Sequence, residues 1–170
     1  MASHDGDRAV ALSIQLSRVH RDLRRRIDGL RSAPGPHRPD DDPLAVHCLA
    51  FCEALTDHHE GEEERMFVRL VRERPALAPT IDKLVEDHGL ISSILVRVRE
   101  LALGAAGSPD AERDPVQRDP AQWEPVRREL DGLAAILESH FRYEERVIGA
   151  ALDATTPADD RPGKVFHPFT

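Results

Sequence analysis

The chain has 170 residues, of which 40% are hydrophobic but only 4% aromatic, and a formal net charge of −8. That length supports one domain with a sizeable core, and an apolar set drawn mainly from Leu, Val, Ile and Ala suits helix-on-helix packing better than a sheet, so an all-α fold is expected. The acidic balance argues against a nucleic-acid partner, because phosphate contacts need clustered Lys and Arg.

The first helix is expected from about Asp7 to Arg31, where Leu12, Leu16, Val19, Leu23, Ile27 and Leu30 recur every three or four residues. His20 lies at the edge of that stripe. Arg24-Arg25-Arg26 reads as a solvated helix face rather than an anion site. These first thirty residues lack the continuous apolar core of a signal peptide. Ser32 to Asp42, with Pro34, Pro36 and Pro39, reads as a loop, and Asp42-Pro43 as a helix start with a capping carboxylate.

The second helix is expected from Pro43 to Arg74, stopping before Pro75. Its inward positions are Leu44, Cys48, Phe51, Cys52, Leu55, His59, Glu62 or Glu63, Met66 and Leu70. Cys48 and Cys52, neighbours on one helix face, read as reduced core residues rather than a disulfide framework, which suits a cytoplasmic protein. Glu60 points out of the stripe. Both Glu62 and Glu63 lie within reach of His59, since neighbours at i+3 and i+4 touch a side chain at i. His58 sits on the flank opposite Glu63 and reads as a surface histidine or a group beside the site.

The third helix starts near Pro79-Thr80 and runs Ile81, Leu84, His88, Ile91, Leu95, Val98, Ala102, with His88 in its seam. Gly104 to Gln122 is a long polar crossing. The fourth helix follows from Trp123 to Leu152, with seam positions Val126, Leu130, Leu133, Leu137, His140, Glu144, Val147 and Ala151. Burying Glu144 without compensation costs several kcal/mol, so a ligand is expected there. No stretch approaches the roughly 20 apolar residues of a membrane span, and no membrane partner is expected. The tail 154–170 ends in Val165-Phe166-His167-Pro168-Phe169 and either folds back on the bundle or meets a protein partner.

Four helices with these connections predict an up-down-up-down four-helix bundle over residues 8–153. At about 1.5 Å rise per residue, His20, His59, Glu63, His88, His140 and Glu144 all fall within about two turns of one level. Imidazoles and carboxylates converging in a bundle core suit first-row transition metals, with carboxylates able to bridge two ions.

His20, His58-His59-x-x-Glu62-Glu63-x-x-Met66-Phe67, Glu86-Asp87-His88 and His140-Phe141-x-x-Glu144-Glu145 together resemble the hemerythrin-like, or HHE cation-binding, family. The resemblance implies two non-haem iron ions, oxo- or hydroxo-bridged, in preference to manganese. It favours Glu63 over Glu62 as a bridge, with Glu144 as the second. It implies a symmetric ligand set: His20 and His59 on one iron, His88 and His140 on the other. One departure matters. Oxygen-carrying members have a second histidine one turn after the first on the third helix, and here that position is Ser92.

Fewer protein ligands leave more positions for small molecules, and adjacent positions on two metals favour chemistry on an O–O bond. The expected function is therefore action on a small oxidant, foremost hydrogen peroxide decomposition, with no catalytic residue beyond the metal ligands. His58 and Tyr143 are candidates for proton supply, though Tyr143 points only partly toward the seam and reads rather as an ordinary rim tyrosine. The alternative is a carrier or sensor of dioxygen or nitric oxide, or an iron-responsive binding domain.

Overall fold

The computed structural model describes residues 11–32, 44–106 and 120–155. Ser32, the first residue of the expected 32–42 loop, closes the first helix. The rest of that loop with its Asp42-Pro43 start, most of the polar crossing, the segment before residue 11 and the tail beyond residue 155 lie outside the described residues.

Among the described residues the chain is helical and has no strands. Helix α1 (Leu12–Ser32) buries Leu16, His20, Leu23, Ile27 and Leu30, alternating steps of four and three along one face. Helix α2 (Leu44–Gly61) continues through a π-helical segment (Glu62–Phe67) into α3 (Val68–Glu73). The rod stops at Arg74, which has φ −140° and ψ 77°. Pro75 disfavours helical backbone in the residue before it, so the stop is local chemistry. A 3-10 turn (Pro75–Leu77) leads into α4 (Ala78–Ala106), and another (Pro120–Trp123) into α5 (Glu124–Asp153). The seam of α4 is as expected, while on α5 Ile148 is fully buried and Val147 only partly.

The four rods form a ring: α1 packs on α2 and α5, and α4 packs on α2 and α5. Neighbours run antiparallel. Ser13 at the start of α1 bonds to Asp153 at the end of α5, and Arg31 near the end of α1 pairs with Asp131 near the start of α5. On α4 and α5, Arg97 pairs with Glu129 while His88 meets His140.

The core divides along the bundle axis. One apolar cluster gathers Leu23, Ile27, Cys48, Phe51, Cys52, Leu55, Ile91, Leu95, Leu133 and Leu137 with their neighbours. At the other end a smaller cluster gathers Leu16, Met66, Phe67, Leu70, Ile81, Leu84, Ile148 and Leu152. Between Leu23 and Leu16, Leu55 and Met66, Ile91 and Leu84, and Leu137 and Ile148 each rod carries histidine or glutamate inward. A polar layer inside an aliphatic core is costly unless its groups find partners. Both cysteines are buried and free.

Candidate metal centre

The polar layer contains five imidazoles and two carboxylates, all buried, in two groups whose donor atoms converge: His59, His88 and His140, and His20, His58, Glu62 and Glu144. Each rod contributes because its seam is regular: His20 follows Leu16 by four, His88 follows Leu84 by four, and His140 follows Leu137 by three. On α2 both members of His58-His59 face inward just before the π-helical turn. That wider turn carries Glu62 at its start and Met66 and Phe67 at its end, all buried. Segments of this kind cluster at functional sites.

The carboxylates lie between the two groups. Glu62 Oε1 is 3.1 Å from His58 Nε2 and 4.0 Å from His20 Nε2, and its Oε2 is 3.6 Å from His88 Nε2. Glu144 Oε2 is 3.3 Å from His20 Nε2 and 3.8 Å from His140 Nε2. Imidazole nitrogens also crowd inward, with Nε2 of His20 and His58 3.1 Å apart and Nε2 of His88 and His140 3.2 Å apart. The residues nevertheless leave both oxygens of Glu62, both oxygens of Glu144 and Nε2 of His59 without a hydrogen-bond donor or acceptor. Buried acceptors without donors are what a cation in this space would satisfy.

Burial and the neighbouring imidazoles push His58 and His59 well below the usual histidine range. Burial also lowers His88 despite Glu63, and lowers His140 to about 4. Such imidazoles are neutral and keep a lone pair for a metal. His20 moves the other way, because Glu144 and Glu145 together outweigh its burial. Glu62 is pushed well above the carboxylate range by burial, then by the charges of Glu144 and Glu63, so only a nearby cation makes its ionised form comfortable.

Two of the far nitrogens have partners, while Nδ1 of His140 has no hydrogen-bond partner. His20 Nδ1 donates to Glu145 Oε1 and His88 Nδ1 donates to Glu63 Oε1, both at 2.7 Å. Asp87 Oδ2 lies 3.7 Å from His140 Nδ1. Phe141 stacks on His20 at 4.0 Å between ring centroids, and His59 stacks on His88 at 3.9 Å.

The geometry brings together His20, His59, His88, His140 and Glu144 as expected, but it places Glu63 elsewhere. Glu63 has a side chain 39% exposed, whereas that of Glu62 is 1% exposed. The His-x-x-x-Glu pair expected at His59 and Glu63 is not the one that meets in the layer; the contact found is between His58 and Glu62, one residue earlier. The signal was present: Phe51, Leu55, His58 and Glu62 recur at steps of four, three and four, so centring the stripe on Phe51 and Leu55 selects Glu62. The expected pairing of His20 with His59 also differs from what is found, since His20 sits with His58. Ser92 is exposed and takes no part, and Tyr143 packs at the edge of the smaller apolar cluster. Arg24 is not a solvated residue either, for its Nε bonds to Glu138 at 2.7 Å and its guanidinium reaches Glu145 at 3.4 Å. No described helix is long and apolar enough to cross a membrane.

A family model described as the hemerythrin HHE cation binding domain matches residues 13–152. No curated protein and no solved structure gives a significant match.

Proposed function

Because the chain belongs to the hemerythrin HHE cation-binding family, we propose that its polar layer holds two iron ions and acts on a small oxidant, foremost by decomposing hydrogen peroxide. The observation that carries this reading is the set of donorless oxygens on Glu62 and Glu144, fully buried among five imidazoles. His20 and His58 would hold one ion, and His59, His88 and His140 the other. Glu62 lies within 4 Å of His58 and His88, and Glu144 within 4 Å of His20 and His140, so these two carboxylates would be shared between them. Nitrogen-rich donors suit iron better than manganese, which prefers oxygen. When bound, two adjacent iron ions would exchange two electrons in one place: two taken from one peroxide, which leaves as dioxygen with loss of two protons, and the same two electrons and protons given to a second peroxide, which leaves as two waters.

The chain's own contribution is enclosure and charge. Aliphatic clusters on both sides admit only a small molecule to the layer, and the two carboxylates offset much of the metals' charge. His58 favours a second reading. As a fifth imidazole it would take a position that four histidines alone would leave to a small molecule. A more saturated centre suits reversible binding of dioxygen or nitric oxide.

Oxygen release from peroxide by the iron-loaded chain decides between them. Release much faster than in a Glu62→Ala/Glu144→Ala variant supports the enzyme. Equal rates reject it, and a reversible dioxygen spectrum would then establish the carrier or sensor. A His58→Ala chain should turn over peroxide faster than the native one if His58 limits access.

A further inference from the structure

The layer's outer edge carries carboxylates that the reading above does not use. Glu63 and Glu145 each meet the far nitrogen of one histidine, at 2.7 Å, on opposite sides of the bundle. An ionised carboxylate accepts and cannot donate, so in the neutral ring each contact fixes the proton on Nδ1 and leaves Nε2 bare. In both rings Nε2 is the inward atom: that of His20 faces Glu144 and His58, and that of His88 faces Glu62 and His140. Glu145 is itself held. Arg24 bonds Glu138 through Nε, reaches Glu145 through the other end of its guanidinium, and lies 5.2 Å from the ring centroid of Phe141, which stacks on His20. Arg24, Glu145 and Phe141 thus fix the position, tilt and proton of one ring. On the other side Phe67 and His59 stack on His88, and Glu63 accepts its proton.

We propose that Glu63 and Glu145 are positioning residues that hold His88 and His20 as Nδ1–H tautomers with Nε2 turned into the centre, and that Arg24 positions Glu145 in turn. The role assigned to Glu63 replaces that of a bridging ligand. It rests on the two-metal reading for its purpose, though not for its geometry, which the side chains alone create.

Long-range proton–nitrogen NMR of the full chain, freed of metal and held at alkaline pH, reads the tautomer of each ring directly. The native chain should show Nδ1–H for His20 and His88. Glu63→Leu should move only His88 toward Nε2–H, and Glu145→Leu only His20. Glu63→Gln and Glu145→Gln, whose amide oxygens still accept, should restore the native tautomers. After metal loading, each Leu variant should bind about 10 to 100 times more weakly. Nε2–H on His20 and His88 in the native chain overturns the proposal, and so do tautomers unmoved by the Leu variants. Because the native spectrum alone is decisive, a variant that fails to fold does not rescue the idea. If metal analysis finds no iron while the tautomers behave as stated, the two-metal reading falls and the positioning stands.

Discussion

Glu62 is the residue on which stability and function pull in opposite directions. Its carboxylate is fully buried, lacks a donor and faces the like charge of Glu144. In the metal-free chain at neutral pH, Glu62→Gln should therefore stabilise the fold by about 1–3 kcal/mol, because it removes the cost of either burying this charge or protonating the carboxyl on folding. In the iron-loaded chain the same change should destabilise, since a ligand to both ions is lost. Urea denaturation with and without a chelator checks this, and the same sign in both conditions would show that Glu62 meets no cation. Glu63→Gln should leave metal-free stability within about 0.5 kcal/mol, as befits a partly exposed side chain.

At the scale of elements, the ends of the helices are joined by chemistry that links distant parts of the chain. Asp153, the last residue of α5, accepts from Ser13 N–H at 3.0 Å and from Ser13 Oγ at 2.6 Å, so it caps the first turn of α1. Asp153→Ala should cost about 1 kcal/mol in thermal or denaturant unfolding, the usual loss for a helix cap. Should the loss be nil, the cap is dispensable and packing alone fixes the start of α1. Gly61, where α2 meets the π-helical turn, has ordinary helical backbone at φ −62° and ψ −34°, and a Cβ there would meet open space. Gly61→Ala should stabilise the rod by about 0.5–1 kcal/mol and leave metal content unchanged. Loss of metal in that variant would mean that the π-helical turn requires the freedom of glycine.

For the whole molecule, the layer makes stability a function of pH and metal. His58, His59, His88 and His140 are held below their ordinary value of 6.5 in the folded chain. Unfolded, they take up protons near that value, so the stability they contribute is present above about pH 6.5 and is lost as pH falls toward their folded values. Glu62 acts oppositely: its folded value is raised, so its contribution is present at low pH and is lost as pH rises through that value. His20, also raised, contributes below about pH 6.5 and loses that contribution as pH climbs through its folded value. Four groups outweigh one between about pH 6.5 and 4.5, so the urea midpoint of the metal-free chain should fall across that window. A midpoint that holds or rises would contradict the neutral burial of the histidines. Added metal should raise stability by about 2.7 kcal/mol at one hundred times its dissociation constant.

The bundle was legible because helix period and stop signals are local: the three-and-four spacing on α1, α4 and α5, and Pro75 after Arg74, need no knowledge of neighbours. That His88, His140 and Glu144 lie inward at one level followed from the same periodicity. Membership of the family followed from motifs spread over all four rods. What the sequence left open was settled by differences of one residue. Whether Glu62 or Glu63 turns inward depends on where the stripe of α2 is centred, and that centre is set by what α1, α4 and α5 pack against it. The burial of His20, at the edge of its own stripe, is decided by Phe141 lying over it. Arg24 looks like a solvated charge until α5 brings Glu138 and Glu145 beside it. A helix specifies which face it buries, but only its neighbours decide where that face ends, and the outer carboxylates sit at that edge.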